Sequence, residues 1–204
     1  MILPRGFMDA IRIWPALFAL MLGLSSPSIP AQSLQTGGVN LPDHASLGGH
    51  QLVLNGAGLR RLFGFRIYVA ALYLPQPQHE AAQVLDHDEP RRLQLTLLRD
   101  ITTDQNLDAL KGGLVANNSP TEMEAIRLEV DHFLALVRQA HSIQAGTVMQ
   151  LDYTPTAGTQ LKIGNQELGT IPGERFNRDI LKIWLGDDPI QSSLKKALLG
   201  QENS

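Results

Sequence analysis

The sequence predicts an α+β fold in which an antiparallel sheet is covered by a layer of helices. Strand-like segments come first, two capped helices follow, then a strand meander and two more helices, an order unlike the single alternation of a doubly wound parallel fold. One segment, FRIYVAALYL at 65–74, is apolar on both faces except for Arg66 and reads as a central strand covered from both sides. The chain has no cysteine, so packing alone must hold it, and residues 32–204 are numerous enough for one domain with a substantial core.

The first 31 residues read as a cleaved export leader. Arg5 and Arg12 outweigh Asp9, Ile13 to Leu24 form a short apolar core, and small residues follow to Ala31. The cut is expected after Ala31, with Ser28 as a second position. The competing reading, an uncleaved anchor, meets the objection that a bilayer span needs roughly 20 apolar residues. The expected location is periplasmic or secreted. Formal charge is −3 for the whole chain, and −4 once two cations and one anion leave with the leader. That balance gives no electrostatic footprint for nucleic acid or anionic lipid, so no nucleic-acid partner is expected, nor any stable membrane insertion after cleavage.

Residues 32–50, rich in Gly, Asn, Ser, Pro and Asp, read as a flexible lead-in to a single domain at 51–204. Leu52 to Leu54 begin the first strand, closed by a glycine bend at Asn55-Gly56-Ala57-Gly58. In the strand 65–74, Phe65, Ile67, Val69, Ala71 and Tyr73 take one face, and Arg66, Tyr68, Ala70, Leu72 and Leu74 the other. Pro75 and Pro77 end it. A short helix is expected at 80–85, then a strand at 92–98 with Leu93, Leu95 and Leu97 inward. Thr102 with Gln105, and Ser119-Pro120 with Glu122, are capping boxes that open two helices. The first buries Leu107, Leu110 and Leu114; the second runs unbroken from Met123 to about His141. Strands at 147–153, 160–163 and 166–171 form a meander, with Gly164-Asn165 as a tight turn. Phe176, Ile180, Ile183 and Trp184 space a third helix stopped by Gly186, and Asp188 is expected to cap a last one ending at Leu199.

Most chemistries lack their parts. The six histidines show no metal-ligand spacing, so no metal site is predicted, and no cofactor is predicted either. His132 on the second helix reads as an ordinary histidine. There is no nucleophile elbow, phosphate loop or dinucleotide fingerprint. Glu122 and Glu124 lie two apart on a helix and point to different sides. One feature stands out: Gly56-Ala57-Gly58-Leu59-Arg60 delivers a guanidinium to the end of the doubly covered strand. There Arg60 can present a fork of donors to a carboxylate, phenolate or enolate in an apolar cleft. The competing readings are a surface arginine or an ion pair with Asp100, and the bend leaves open whether Arg60 or Arg61 faces the cleft.

The run from Gly56 to Arg60, with Phe63-Gly64-Phe65-Arg66-Ile67-Tyr68-Val69-Ala70-Ala71-Leu72-Tyr73-Leu74, resembles the opening motif of the chalcone isomerase family, in particular its exported bacterial branch. Phe176, Ile183-Trp184-Leu185-Gly186-Asp187-Asp188-Pro189-Ile190 and Leu194-Lys195 resemble that branch's ending. The resemblance spans about 52–200 and implies an open-faced β-sandwich, a large antiparallel sheet and a helix layer with a ligand cleft between them. It also implies intramolecular lyase chemistry, in which an arginine holds a nucleophilic oxyanion while a threonine and a tyrosine stabilise an enolate. The arginine falls on Arg60. The threonine position falls on Phe63, which donates no hydrogen bond, and the tyrosine position falls near Asn106. Tyr68 matches a family strand tyrosine without a catalytic role. Losing an oxyanion donor costs about 10²–10³ in rate.

Arg60, Phe63 and Tyr68 are therefore the expected ligand-binding residues, with Arg60 and, more weakly, Asn106 as the catalytic candidates. The leading functional expectation is a protein that holds a small apolar acid with Arg60 as anion anchor, and the resemblance implies that this acid is fatty-acid-like. The alternatives are an isomerase acting on a phenolic or enone substrate, and an envelope scaffold whose cleft is packed shut.

Overall fold

The structure, a computed structural model, describes residues 33–140 and 142–201; the leader and its cut lie outside them. The described residues form one compact unit. Its frame is a seven-stranded antiparallel sheet. In chain order its strands are β3 (His44–Leu47), β4 (His50–Leu62), β5 (Phe65–Leu74), β6 (Arg91–Leu97), β9 (Val148–Thr154), β10 (Gly158–Ile163) and β11 (Gln166–Ile171). Their spatial order is β11-β10-β9-β6-β5-β4-β3, so the double-apolar β5 lies inside the sheet as expected.

Helices cover one face. The α1 helix (Ala81–Asp86), α2 (Thr103–Asn117), α3 (Pro120–Ala125), α4 (Arg127–Arg138), α5 (Glu174–Leu185) and α6 (Ser192–Leu198) pack on it. They enclose a core that runs from Tyr68, Ala70 and Leu72 of the sheet to Phe133, Phe176, Ile180 and Trp184. The opposite face of β4 and β5 is closed by a second cluster of Leu41, Leu52, Val69, Ala71 and Tyr73. The lead-in expected to be flexible supplies that cover: β1 (Ser33–Thr36) and β2 (Val39–Pro42) form a hairpin, and β3 joins the sheet. Small polar residues made this stretch look loose. Leu41, with 0% exposure, shows what its few apolar residues do.

Both capping boxes form. Thr102 Oγ1 accepts from Gln105 N at 3.2 Å while Gln105 Oε1 accepts from Thr102 N at 3.0 Å. Ser119 and Glu122 make the same reciprocal pair at 3.2 and 2.7 Å. The second helix is not continuous, however. Ile126 leaves helical geometry at φ −119°, ψ 15°, and buries its side chain, splitting the segment into α3 and α4. The minor pair β7 (Ile101–Thr102) and β8 (Ser142–Ile143) ties the start of α2 to the end of this unit. The last helix starts at Ser192 rather than at Asp188, whose backbone N–H and carbonyl are both held by the Asn117 amide, at 2.9 and 2.7 Å.

Two β-bulges correct the expected strand pattern. The glycine run is no bend: β4 continues straight through it, paired to β5 from Val53 to Leu62. The register shifts between Leu54 and Gly56, leaving Asn55 as the extra residue on β4, and between Arg60 and Arg61, leaving Ile67 as the extra residue on β5. A bulge adds one residue to one strand and reverses the alternation beyond it. Past Ile67, Arg66 therefore turns to the outer face, where it donates to the Gly37 carbonyl. Phe65 and Ile67 turn with Tyr68 toward the helix side.

Candidate functional site

The bulge at Asn55 explains the glycine motif. Its side chain donates to the Gln78 and Leu198 carbonyls at 2.9 and 2.7 Å and accepts from Gln78 N at 2.6 Å, fastening the end of α6 to the sheet. Gly56 and Gly58 then lie on the face beneath α6. A Cβ on Gly56 would fall onto the Ala197 carbonyl oxygen and 2.7 Å from that of Leu198. One on Gly58 would lie 2.7 Å from Ala197 Cβ and 2.8 Å from Leu194 Cδ1. The glycines admit a helix, and Arg60, two residues on along the same face, emerges just beyond its start.

There it meets a cavity of about 500 Å³ between the β4–β5 end and α2, within the ordinary range for small-molecule sites. Arg60, Ile67, Tyr68, Asn106, Ala109 and Ile190 line it. Arg60 is half-buried and Arg61 exposed, so Arg60 is the one that faces the cleft. Its Nη1 donates to the Arg61 carbonyl at 2.5 Å and to Gln191 Oε1 at 3.2 Å. Gln191 is itself fixed, accepting from Arg61 N at 2.8 Å and donating to the Leu59 carbonyl at 3.1 Å and Ser193 Oγ at 2.7 Å. Among the described residues no carboxylate pairs with Arg60. Asp100, the partner weighed from sequence, accepts from Ala145 N at 2.8 Å.

Tyr68 lies opposite Arg60 in the ladder. Its hydroxyl accepts from Trp184 Nε1 at 3.0 Å, which leaves its own proton to donate. Burial pushes the phenol up to about 12, against the pull of the Trp184 hydrogen bond and the Arg60 charge. It stays protonated at any physiological pH and serves as a donor. Asn106, on the second turn of α2, completes the polar set: its Nδ2 is buried without a hydrogen-bond partner among the described residues. A buried polar group left unpaired costs about 1–3 kcal/mol, a cost that a ligand oxygen would remove.

Behind these groups lies an inner void of about 60 Å³ walled by Leu93, Leu95, Phe133, Leu161 and Ile183, sharing Tyr68, Asn106, Ala109 and Ile190 with the outer cavity. The site thus has a polar neck and an apolar end. Phe63 sits elsewhere than a donor position requires. It occupies the tip of the β4–β5 hairpin at φ 49°, 91% exposed, on the rim of the cavity. Of the four sequence candidates, Arg60, Tyr68 and Asn106 converge on the neck and Phe63 remains at the mouth.

Gln191 and Trp184 were not anticipated. Trp184 carried a signal, since a buried indole N–H needs an acceptor. Gln191 carried none, because Asp188 offered a stronger cap and Gln191 meets β4 across 130 residues. Among the described residues no group of His, Asp and Glu is placed to hold a metal ion, and no helix is long and apolar enough to cross a membrane.

A curled antiparallel sheet with a helix layer on one face and a cleft between defines the chalcone isomerase-like class of fold. The family model described as chalcone isomerase-like matches residues 33–200, and the chain belongs to that family. Among solved structures it is similar to an Arabidopsis thaliana fatty-acid binding protein, with a TM-score of 0.64 at 14% identity, over 82% of this chain and 96% of that one. No curated protein sequence gives a significant match.

Proposed function

We propose that this protein binds a small apolar carboxylic acid of fatty-acid type, its carboxylate at Arg60 and Tyr68 and its chain directed past Asn106 toward the inner void. The observation that carries the reading is Arg60: a half-buried cation without a carboxylate partner among the described residues, positioned by Gln191 at the neck of an apolar cavity. A guanidinium in that setting binds a carboxylate by charge-assisted hydrogen bonds, and Tyr68 adds a neutral donor. The fatty-acid binding protein of the same fold is consistent with this ligand class. Turnover finds less support, because the family's threonine position is the exposed Phe63 at the rim, where it lends nothing to an enolate.

The reading includes export, resting on the basic start, apolar core and small-residue exit of residues 1–31. N-terminal sequencing of the protein from its own cells is expected to begin at Gln32; retention of Met1 contradicts export by cleavage. The ligand is tested by native mass spectrometry of protein purified from those cells. An acyl species on the wild type that is absent from Arg60→Ala supports binding. No bound species, together with chalcone cyclisation that requires Arg60, would overturn it in favour of an isomerase.

A further inference from the structure

Six large apolar side chains are exposed among the described residues, and three of them, Leu62 at 44%, Phe63 at 91% and Phe65 at 60%, fall within four positions at the β4–β5 tip. All three border the mouth of the cavity. The placement is built rather than incidental. Phe63 takes a left-handed backbone, φ 49°, that aromatic residues rarely adopt and that Asn or Gly tolerates better. The bulge at Ile67 turns Phe65 to the cavity side, where the Arg99 guanidinium lies 4.8 Å from its ring centre. Cations outnumber acids around the tip: residues 59–68 hold Arg60, Arg61 and Arg66 and no acid, and Arg99 joins them at the mouth against Asp100 and Asp108, a local excess that the negative charge of the whole chain conceals.

We infer that this hairpin tip docks on an anionic lipid surface, Phe63 and Phe65 entering the headgroup boundary while Arg61 and Arg66 meet phosphates. The cavity mouth then opens onto the membrane, and an acyl ligand passes between bilayer and cleft without crossing water. Charge complementarity selects this occupant, because aromatic side chains flanked by arginines suit an anionic interface. A protein partner fits less well. Two phenylalanines offer roughly 150–250 Å² each, whereas a stable protein interface buries about 1,200 Å² or more. Docking is peripheral and involves no membrane-spanning segment. The inference rests on the acyl-binding reading for its purpose and not for its test.

The test uses protein beginning at Gln32, whose two cores lie within residues 33–201, sedimented with vesicles of phosphatidylglycerol and phosphatidylcholine in equal parts and with phosphatidylcholine alone. Binding is expected to the anionic vesicles, to weaken with salt, and to fall in Arg61→Gln. Phe63→Asn is the decisive variant, because Asn-Gly is the preferred dipeptide for a two-residue hairpin turn. The hairpin folds at least as well, while vesicle affinity should drop by about tenfold or more as the aromatic anchor is lost. Equal binding by Phe63→Asn and wild type, or no binding to anionic vesicles, overturns the inference. So does a concentration-dependent dimer in lipid-free solution that Phe63→Asn abolishes, which would assign the tip to a second copy of the chain. Vesicle binding is measured on ligand-free protein. Protein that binds vesicles but no fatty acid therefore refutes only the ligand reading, and protein that binds fatty acid but no vesicles refutes only this one.

Discussion

Adding a single methyl group at Gly56 or Gly58 tests whether these glycines exist to admit α6. Ordinarily Gly→Ala within a strand stabilises by roughly 0.4–1 kcal/mol, by narrowing the unfolded ensemble. Here the new Cβ meets atoms already in place. At Gly56 the obstacles are the backbone carbonyls of Ala197 and Leu198, which move only if the helix moves. At Gly58 they are side-chain atoms, Ala197 Cβ at 2.7 Å and Leu194 Cδ1 at 2.8 Å, and Leu194 has some freedom to yield. Overpacking costs about 1–3 kcal/mol. After the entropic gain, Gly56→Ala should lose about 2 kcal/mol and Gly58→Ala about 1 kcal/mol.

Urea unfolding followed by circular dichroism measures both losses, and the larger corresponds to a drop in Tm of roughly 4–8 °C for a unit of this size. The two sites should also differ in rescue. Ala197→Gly removes the Cβ that opposes residue 58, so it should recover about 1 kcal/mol in Gly58→Ala beyond additivity, and nothing in Gly56→Ala. Displacing α6 also draws Gln191 away from Arg60, so ligand affinity should fall with stability. If Gly56→Ala changes stability by less than about 0.5 kcal/mol, the close helix approach is not what the motif provides.

Three further outcomes follow from the geometry. Tyr68→Phe strands the buried Trp184 N–H and should cost about 1–3 kcal/mol. Because burial raises the Tyr68 phenol from 10.0 to about 12 in the fold, the wild type should lose stability as pH rises from 10 toward 12, and a pH series of melts should show that loss reduced in Tyr68→Phe. The Glu122 carboxylate is held down at about 2 by the Ser119 backbone N–H, then by Lys182 and the Ser119 hydroxyl. Its contribution should therefore be complete above about pH 4.5 and disappear as pH falls toward 2, and Glu122→Gln should flatten that part of the acid titration of stability. Truncating the buried Arg91, which donates to Asn177 Oδ1 at 2.6 Å and to the His87 carbonyl at 2.9 Å, should be severe. Arg91→Ala is expected to lose about 2–4 kcal/mol by chemical denaturation, from the buried acceptors it strands and the space it leaves.

Much of the architecture was legible because local signals agreed with the global fold. The capping boxes at Thr102 and Ser119, the double-apolar strand 65–74 and the Gly164 turn each acted within a few residues. The failures were long-range. No pattern in the sequence marks the extra residues Asn55 and Ile67 as bulges, since a bulge is defined only against a partner strand. Strict alternation therefore placed Phe65 and Ile67 opposite Tyr68, on the wrong side of the sheet. Gly56 and Gly58 were read as a turn, the commonest local use of glycine, when their cause is a helix about 140 residues away. Arg60 was found through its motif, but its environment depends on Gln191, which no local signal identifies. Asn106 rested on a soft correspondence near the start of α2; what singles it out is an unpaired amide, a property of packing alone.

The most direct measurement is a matched titration of wild type and Arg60→Ala with a saturated fatty acid and with the alcohol of the same chain length. If Arg60 clamps the carboxylate, wild type should prefer the acid by roughly ten- to hundredfold, the worth of a hydrogen bond to a charged group, and Arg60→Ala should lose that preference while still binding the alcohol. Equal affinity of wild type for acid and alcohol, or an acid preference that survives in Arg60→Ala, would contradict the assignment of Arg60 as the anion anchor.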